Sequence, residues 1–227
     1  MHVRVALGLA VALLGAGLPR ASGQVTTGPV ARGDVAVYTG LFSLDSDEVD
    51  PPGTQPDYDH WINTALFDVS AGYYWTDHLK TEVEALWTSE GQSYGSTVIY
   101  GPAGQIGWIP HTSRVSTQQF GVAQLWQFGR NAMFHPWVGA GVDYVRTEHE
   151  LDRPAQFAYP SGPGPAPPPV RVPALYQQTI THDAVPFGSV GFKAYFNERT
   201  FFRTDLKVQI RSGVHHVVWK LGAGVDF

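Results

Sequence analysis

Charged side chains recur at every second position in several stretches of this sequence. Glu82 and Glu84 are separated by one residue, and Lys80 precedes them with the same spacing. Two carboxyl groups on one face of a strand could act as a general acid and a general base. They could also pair with lysines and arginines on the same face. Because several basic residues share this spacing, we expect ion pairing rather than acid–base catalysis.

The charged residues on these alternating faces form a nearly balanced set. The acidic members are Asp34, Asp68, Glu82, Glu84, Asp143, Asp205 and Asp226, and the basic members are Lys80, Lys193, Arg203, Lys207, Arg211 and Lys220. Isolated charges are costly to bury, whereas paired and hydrogen-bonded charges are tolerated. If the strands enclose a lumen, we expect this set to fill it as a cross-linked network. The alternative is a narrow ion path gated by pairs that exchange partners.

Six histidines lie in or near predicted loops that share one end of the molecule. They are His60, His111, His149, His182, His215 and His216. A shared metal or pH-responsive site is one interpretation, because histidine binds transition metals and titrates near neutral pH. These residues show no local ligand spacing, so we predict no metal site.

The nearest candidate for nucleophilic catalysis is the pair His111 and Ser113, which the sequence places in a loop. It lacks a nucleophile elbow and a recognisable supporting acid. A glycine-rich phosphate loop, an HExxH pair and a calcium loop are also absent from the sequence. We therefore predict that the protein is not an enzyme and has no cofactor.

Composition limits the remaining classes of protein. The chain has 227 residues, 43% hydrophobic and 15% charged, which suits one folded domain. It contains no cysteine, which excludes disulfides, thiol catalysis and cysteine-ligated zinc. The formal net charge is −5, so the sequence offers no basic field for nucleic acid, and we expect no nucleic-acid partner.

The N-terminus has the pattern of a secretory signal peptide. Arg4 precedes an apolar stretch over residues 5–18, and Ala21, Ser22 and Gly23 form a small-residue cleavage site. The apolar stretch is shorter than the ~20 residues that a membrane-spanning helix needs. We predict a signal peptide over residues 1–23 and a mature domain over residues 24–227.

The mature domain is predicted to be all-β. Runs of alternating character, bounded by turn residues, predict eight strands at residues 33–43, 64–75, 79–89, 114–128, 133–148, 184–197, 200–211 and 214–227. Alternation is unclear in the fourth run, where we expect a β-bulge. Short turns at residues 76–78, 129–132 and 197–199 alternate with long connections after the first, third and fifth strands. The third long connection, residues 150–183, contains seven prolines between Pro160 and Pro173 and is predicted to be an outer loop.

Two features indicate that the charged face points inward. Glycines share that face, at Gly40, Gly72, Gly139, Gly141, Gly191, Gly222 and Gly224, as the crowded interior of a small barrel requires. Aromatic residues gather near both ends of the strands, as in the girdles of membrane barrels. A soluble, lipocalin-type barrel with an apolar interior remains an alternative, and it would fold without detergent.

The last residues carry a more specific pattern: Lys220, Gly222, Val225 and a terminal Phe227. This resembles the C-terminal assembly signal of outer-membrane barrels, and residues 135–144 are similar to central strands of the small OmpA/OmpX/OmpW-like barrels. The resemblance implies insertion by the barrel assembly machinery into the bacterial outer membrane. It also implies an eight-stranded antiparallel transmembrane β-barrel in contact with outer-membrane lipid and lipopolysaccharide.

The expected role is structural or interactive at the cell surface, with the outer loops contacting an extracellular ligand, because loops on a rigid scaffold carry recognition. The alternative is a narrow channel or transporter for ions or small hydrophobic solutes.

Overall fold

The computed structural model of the protein describes residues 32–45, 54–56, 61–101, 104–128, 133–158, 168–211 and 214–227. The predicted signal peptide, His60, the turn at residues 129–132 and residues 159–167 of the proline-rich stretch lie outside these ranges. Within the described ranges no helix has the length and apolar character needed to cross a membrane.

The described residues form twelve β-strands. Their bounds are β1 Gly33–Asp45, β2 Thr54–Pro56, β3 Trp61–Tyr74, β4 Leu79–Thr88, β5 Gly91–Gly101, β6 Gly104–Gln127, β7 Phe134–Arg153, β8 Gln156–Ala158, β9 Val170–Val172, β10 Leu175–Tyr195, β11 Thr200–Ile210 and β12 Val214–Asp226. Strands β8 and β9 pair only with each other among the described elements.

Eight strands close into a ring of antiparallel pairs. The order around the ring is β1, β3, β4, β6, β7, β10, β11 and β12, and β12 pairs with β1 from Asp34 opposite Asp226 to Leu44 opposite His216. Each strand of the ring pairs with the ring strands that precede and follow it in the sequence, so the barrel has an up-and-down topology. The predicted eight-stranded antiparallel barrel is confirmed.

Two described turns at the end that carries the chain termini are tight because side chains bond to their backbone. In the turn between β3 and β4, the Thr76 hydroxyl accepts from the amide of Leu79 at 2.9 Å. In the turn between β10 and β11, the Asn197 side chain accepts from the amide of Thr200 at 2.8 Å. Such local bonds satisfy backbone donors that the strands leave open.

One wall of the barrel continues far beyond the ring. Strands β5, β6, β7 and β10 extend it, with β6 pairing to β7 as far as Thr112 opposite Asp152 and β10 reaching Leu175 opposite Arg153. We call the part of these four strands beyond the ring the extracellular ribbon, and the short strand β2 pairs with its β5 edge. The sequence predicted later starts for β6 and β10, an earlier end for β7 and no strand over residues 91–101. Glycine and proline interrupt the pattern there, but neighbouring strands supply hydrogen bonds.

The expected bulge in the fourth barrel strand is wrong. Burial alternates residue by residue along β6 from Ile109 to Phe128, and its register with β4 and β7 is continuous. The hydropathy pattern is blurred because Ala123 and Leu125 point inward, where they pack with Trp137 and Phe187. A register shift occurs instead at Gln209, opposite the start of β12.

The outer surface of the ring is an apolar belt. Large exposed hydrophobic residues include Val35, Val37, Leu41, Phe67, Val69, Val83, Phe120, Val122, Val142 and Val225. Aromatic residues border the belt at the turn end (Tyr73, Trp75, Trp126, Phe128, Phe134, Phe196 and Phe227) and at the other end (Trp87, Tyr144 and Trp219). So large an exposed apolar area needs lipid to cover it.

Candidate functional site

The inward face of the barrel buries a network of charged side chains. Of the thirteen residues that the sequence assigned to this face, the following ten are at most 6% exposed: Asp68, Lys80, Glu82, Glu84, Asp143, Lys193, Arg203, Asp205, Lys207 and Lys220. Asp34 and Asp226 are buried with them. Arg211 is not, because it lies beyond the end of β11, where its exposed guanidinium pairs with Asp183 at 3.0 Å. Its inclusion in the lumenal set is therefore wrong.

At the turn end of the lumen, two lysines converge on Asp34. The Lys80 ammonium lies 2.7 Å from the Asp34 carboxylate, and the Lys193 ammonium lies 3.1 Å from it. Lys193 also contacts Asp226 at 2.5 Å, and its ammonium donates to the Tyr74 hydroxyl at 3.0 Å. The carboxylates therefore hold each lysine between strands that are not neighbours.

The centre of the lumen is crossed by a direct contact between opposite strands. Strands β4 and β11 lie four places apart in either direction around the ring. Glu82 of β4 accepts two hydrogen bonds from the Arg203 guanidinium of β11, one of them 2.9 Å long. One layer further out, Glu84 of β4 pairs with Lys207 of β11. Two successive pairs thus span the lumen from wall to wall.

Lys220 of β12 connects these layers. Its ammonium pairs with Asp68 and lies 2.5 Å from Glu84 and 3.7 Å from Asp205. The Arg203 guanidinium contacts Asp205 at 3.6 Å and stacks over the Trp137 ring at 4.5 Å. Shared carboxylates make the central charges one connected network rather than separate pairs.

Two glutamines and His216 extend the network toward the outer end. The sequence analysis named His216 only among the histidines of that end and did not assign the glutamines to the network. Lys207 contacts Asp143 at 3.0 Å, and the Gln209 amide donates to Asp143 and to Gln119, the latter at 3.0 Å. The His216 ring bonds to Gln209. Their position in phase with the lumenal charges was a signal, since Gln209 follows Arg203, Asp205 and Lys207 at two-residue steps.

Above this polar layer the inward face combines apolar residues with uncharged polar ones such as Thr64 and Thr117. One buried cluster there contains Phe42, Leu44, Ile62, Leu66, Leu86, Val115 and Val218. The sequence analysis did not identify these residues as lumenal. They follow the inward-facing alternation of strands whose other inward residues are polar. The described lumen therefore has an ion-paired part and, toward the outer end, a part that contains an apolar cluster.

Glycine makes room for the network at two positions. A Cβ atom added at Gly72 would collide with the Lys80 side chain, and one added at Gly121 would collide with Asp143 and Glu84. By contrast, a Cβ at Gly188 on the outer face would meet nothing within 4 Å. At these two positions glycine thus leaves the space that long charged side chains occupy.

The described histidines of the outer end form close pairs rather than one cluster: the His215 and His216 ring centroids are 3.9 Å apart, and His111 neighbours His149. His111 and Ser113 are buried on the inward face of β6, so their predicted placement in a loop is wrong. His149 lies in the extracellular ribbon, where burial and the neighbouring His111 lower its pKa. His182 bonds through its ring to the Tyr144 hydroxyl at 2.7 Å on the outer face. Among the described residues no three His, Asp or Glu side chains form a metal-binding group.

The residues of the C-terminal pattern divide between the two faces of β12. Lys220 and Gly222 belong to the inward face, and a Cβ at Gly222 would meet the Tyr38 ring. Val225 and Phe227 are exposed on the outer face, and the Phe227 amide bonds to Gly33 at 2.9 Å, which fixes the chain end beside β1.

An apolar exterior, an ion-paired interior and a sheet without open edges inside the ring define an integral β-barrel membrane protein. The sequence profile of the outer membrane protein beta-barrel domain family matches residues 8–227, and the chain belongs to this family. The protein is therefore a β-barrel of the bacterial outer membrane. No curated protein matches the chain in sequence.

Several solved structures share the fold. Neisserial surface protein A is 10% identical, with a TM-score of 0.50 over 86% of this chain and 96% of that one. OprG of Pseudomonas aeruginosa is 15% identical, with a TM-score of 0.50 over 87% and 97% of the two chains. The N-terminal barrel domain of Pseudomonas aeruginosa OprF is 14% identical, with a TM-score of 0.45 over 87% and 98%. At these identities the likeness concerns the fold alone.

Proposed function

We propose that the protein is a structural and interaction protein of the cell surface, in which a plugged barrel anchors the extracellular ribbon and its loops. One observation supports the plugged lumen most strongly. Glu82 and Glu84 of β4 contact Arg203 and Lys207 of the opposite strand β11 in two successive layers. Side chains that meet across the full width of the barrel leave no continuous path for a hydrated ion between those strands.

The charge inventory supports a filling role for the same residues. The buried lumenal set of the described chain contains seven carboxyl groups and five basic groups, and each basic group contacts at least one carboxylate. Burying charges in pairs with additional hydrogen bonds limits the desolvation cost. A conducting pore would instead keep part of these charges hydrated.

Planar-bilayer recordings of refolded, inserted protein test this proposal. We expect no discrete conductance steps from the native protein, because the opposed pairs block the lumen. Glu82→Ala and Lys207→Ala each remove one member of an opposed pair, and Arg211→Ala is the matched control, since Arg211 lies outside the lumen. Discrete steps from native protein that change with Glu82→Ala or Lys207→Ala, but not with Arg211→Ala, would establish a channel and contradict the proposal.

The remaining partners follow from the surfaces that the barrel exposes. The apolar belt would contact outer-membrane lipid and lipopolysaccharide, and the ribbon would meet an extracellular ligand. Outward-facing Val225 and Phe227 would be read by the barrel assembly machinery during insertion. The proposed role involves no catalysis, cofactor or nucleic acid.

A further inference from the structure

Among the described residues, strand β10 leaves a long hydrogen-bonding edge open in the extracellular ribbon. On one side it pairs with β7 along its whole length, from Leu175 to Ala194. On the other side it pairs with β11 only from Phe187 to Tyr195. Residues 175–186 therefore have no described neighbour on the β11 side.

The direction of each backbone group along this edge follows from the register. The Tyr195 amide donates to Met133 on the β7 side at 2.9 Å, whereas the next amide, Phe196, donates to Thr200 on the β11 side at 2.9 Å. Successive residues of a strand point to opposite edges, and the β7 register has no shift. Odd-numbered residues of β10 therefore bond to β7. Even-numbered residues direct both N–H and C=O toward the open edge, at Tyr176, Gln178, Ile180, His182 and Ala184.

Pro186 marks where the open edge begins. It has the same phase as those five residues, so its missing N–H is on the edge side, next to the last pair between β10 and β11. Residues 175–185 contain no proline, lysine or arginine. Natural edge strands usually use such residues to prevent pairing with other chains.

The open edge lies outside the lipid belt. On the outer face the belt ends with the row formed by Phe120, Tyr144 and Ala184. The next rows carry Arg146 and Glu148, which form an ion pair at 3.1 Å. Side chains of residues 175–182 are exposed on both faces of the strand. The edge is therefore open to the extracellular solvent.

We propose that the β10 edge over residues 176–184 binds an extended peptide strand of an extracellular protein by β-strand addition. The added strand would continue the lane that β11 occupies lower in the barrel. A polypeptide backbone is complementary to this edge because it supplies alternating donors and acceptors at the same repeat.

The side chains of the edge define the peptide that would fit. Tyr176 and Ile180 are exposed on the outer face, and Thr179 and Thr181 occupy the other face. Asp183, the acidic residue of this stretch, already pairs with Arg211. The favoured partner is thus an uncharged segment with β-branched side chains, since such residues pair well across strands. This inference rests on the proposed surface role and identifies the binding mode.

Amide hydrogen exchange of the refolded full-length protein, resolved by residue, tests the open edge directly. In the free protein the amides of Gln178, Ile180 and His182 should exchange at least ~10-fold faster than those of Gln177, Thr179 and Thr181, which bond to β7. Equal protection of both sets would show that the edge is already paired and would overturn the inference.

Binding is tested with a fluorescent synthetic strand of alternating threonine and valine, carrying one lysine at each end for solubility. It should bind the native protein and slow exchange of the even-numbered amides selectively. Ile180→Pro removes one edge N–H and should weaken binding at least ~10-fold, while Ile180→Thr keeps that N–H and should change binding less than ~2-fold. Pro186 shows that the strand accommodates proline in this phase, and a heat-dependent shift in electrophoretic mobility verifies folding of both variants.

Lack of probe binding at ~1 mM, or equal binding by native protein and Ile180→Pro, would overturn the inference. Self-association that Ile180→Pro abolishes would replace the extracellular peptide with a second copy of this chain as the occupant. These outcomes are separate from the conductance recordings. A silent barrel without edge binding would leave the proposed surface role intact and remove the strand-addition mode.

Discussion

Removing the charge of Lys220 should lower the stability of the barrel more than removing the charge of an exposed residue. The Lys220 ammonium contacts the carboxylates of Asp68, Glu84 and Asp205, which belong to three different strands. After Lys220→Met, Glu84 still contacts Lys207 and Asp205 still contacts Arg203. Asp68 has no other cation within salt-bridge distance in the described part of the chain.

The magnitude follows from the cost of a buried charge that loses its partner. All four side chains are at most 6% exposed, so solvent cannot replace the lysine without opening the lumen. Breaking a buried pair by removing one partner costs about 3–5 kcal/mol. We expect Lys220→Met to lower the free energy of unfolding by that amount, because methionine fills a similar length without a charge.

A second substitution separates charge from packing. Adding Asp68→Asn to Lys220→Met replaces the unpaired carboxylate with a neutral amide of nearly the same volume. It should recover about 2–3 kcal/mol of the lost free energy of unfolding. Arg211→Met, which removes an exposed pair, is the control and should cost less than about 1 kcal/mol. Urea unfolding in lipid vesicles, followed by tryptophan fluorescence, measures all four proteins.

The reasoning would be refuted by either of two results. The first is a loss below about 1 kcal/mol for Lys220→Met, which would mean that the lumen hydrates its carboxylates. The second is a double variant no more stable than Lys220→Met alone, which would mean that Asp68 and Lys220 are not coupled.

The other predictions concern the glycine packing and the ribbon. Gly121→Val should prevent or strongly reduce refolding, because its side chain would occupy the space of Asp143 and Glu84, whereas Gly188→Val should refold normally; the fraction with heat-dependent electrophoretic mobility measures both, and equal yields would argue against a crowded lumen. His149 has a lowered pKa in the folded protein, so folding favours its neutral form. The corresponding stability is fully present above the unfolded pKa of 6.5 and is lost as the pH falls toward the folded value. Acidification below pH 6.5 should therefore lower the amide protection factors near His149, after correction for the intrinsic exchange rate at each pH, and His149→Gln should remove that dependence. An identical pH profile in the variant would assign the effect to other groups.

The alternation of the strands could be predicted from the sequence because each side chain follows the pleat. The last strand shows this, since Lys220 and Asp226 are inward while Trp219 and Val225 are outward. The clustering of glycines with charges then identified the inward face, because only an interior with little space requires both. The fold class and the majority of the lumenal charges followed from these two local signals, whereas the location followed from the resemblance of the last residues to an assembly signal.

The partners of those charges depended on the closed ring. Glu82 and Arg203 are 121 residues apart, and they meet because ring closure places β4 and β11 on opposite sides of one lumen. The sequence also assigned Arg211 to the lumen by its spacing, but β11 ends at Ile210, so the alternation no longer applies. Spacing determines the face of a residue only while its strand continues.

The strands of the extracellular ribbon form because of tertiary pairing rather than because of local sequence preference. Residues 91–101 and 175–183 contain mixed polar side chains, and sequence alone predicted loops there. They form strands because β6 and β7 supply hydrogen-bonding neighbours beyond the membrane. The open edge of β10 has the same origin. The local sequence sets which backbone groups alternate, whereas the shorter length of β11 decides which of them have no partner among the described strands.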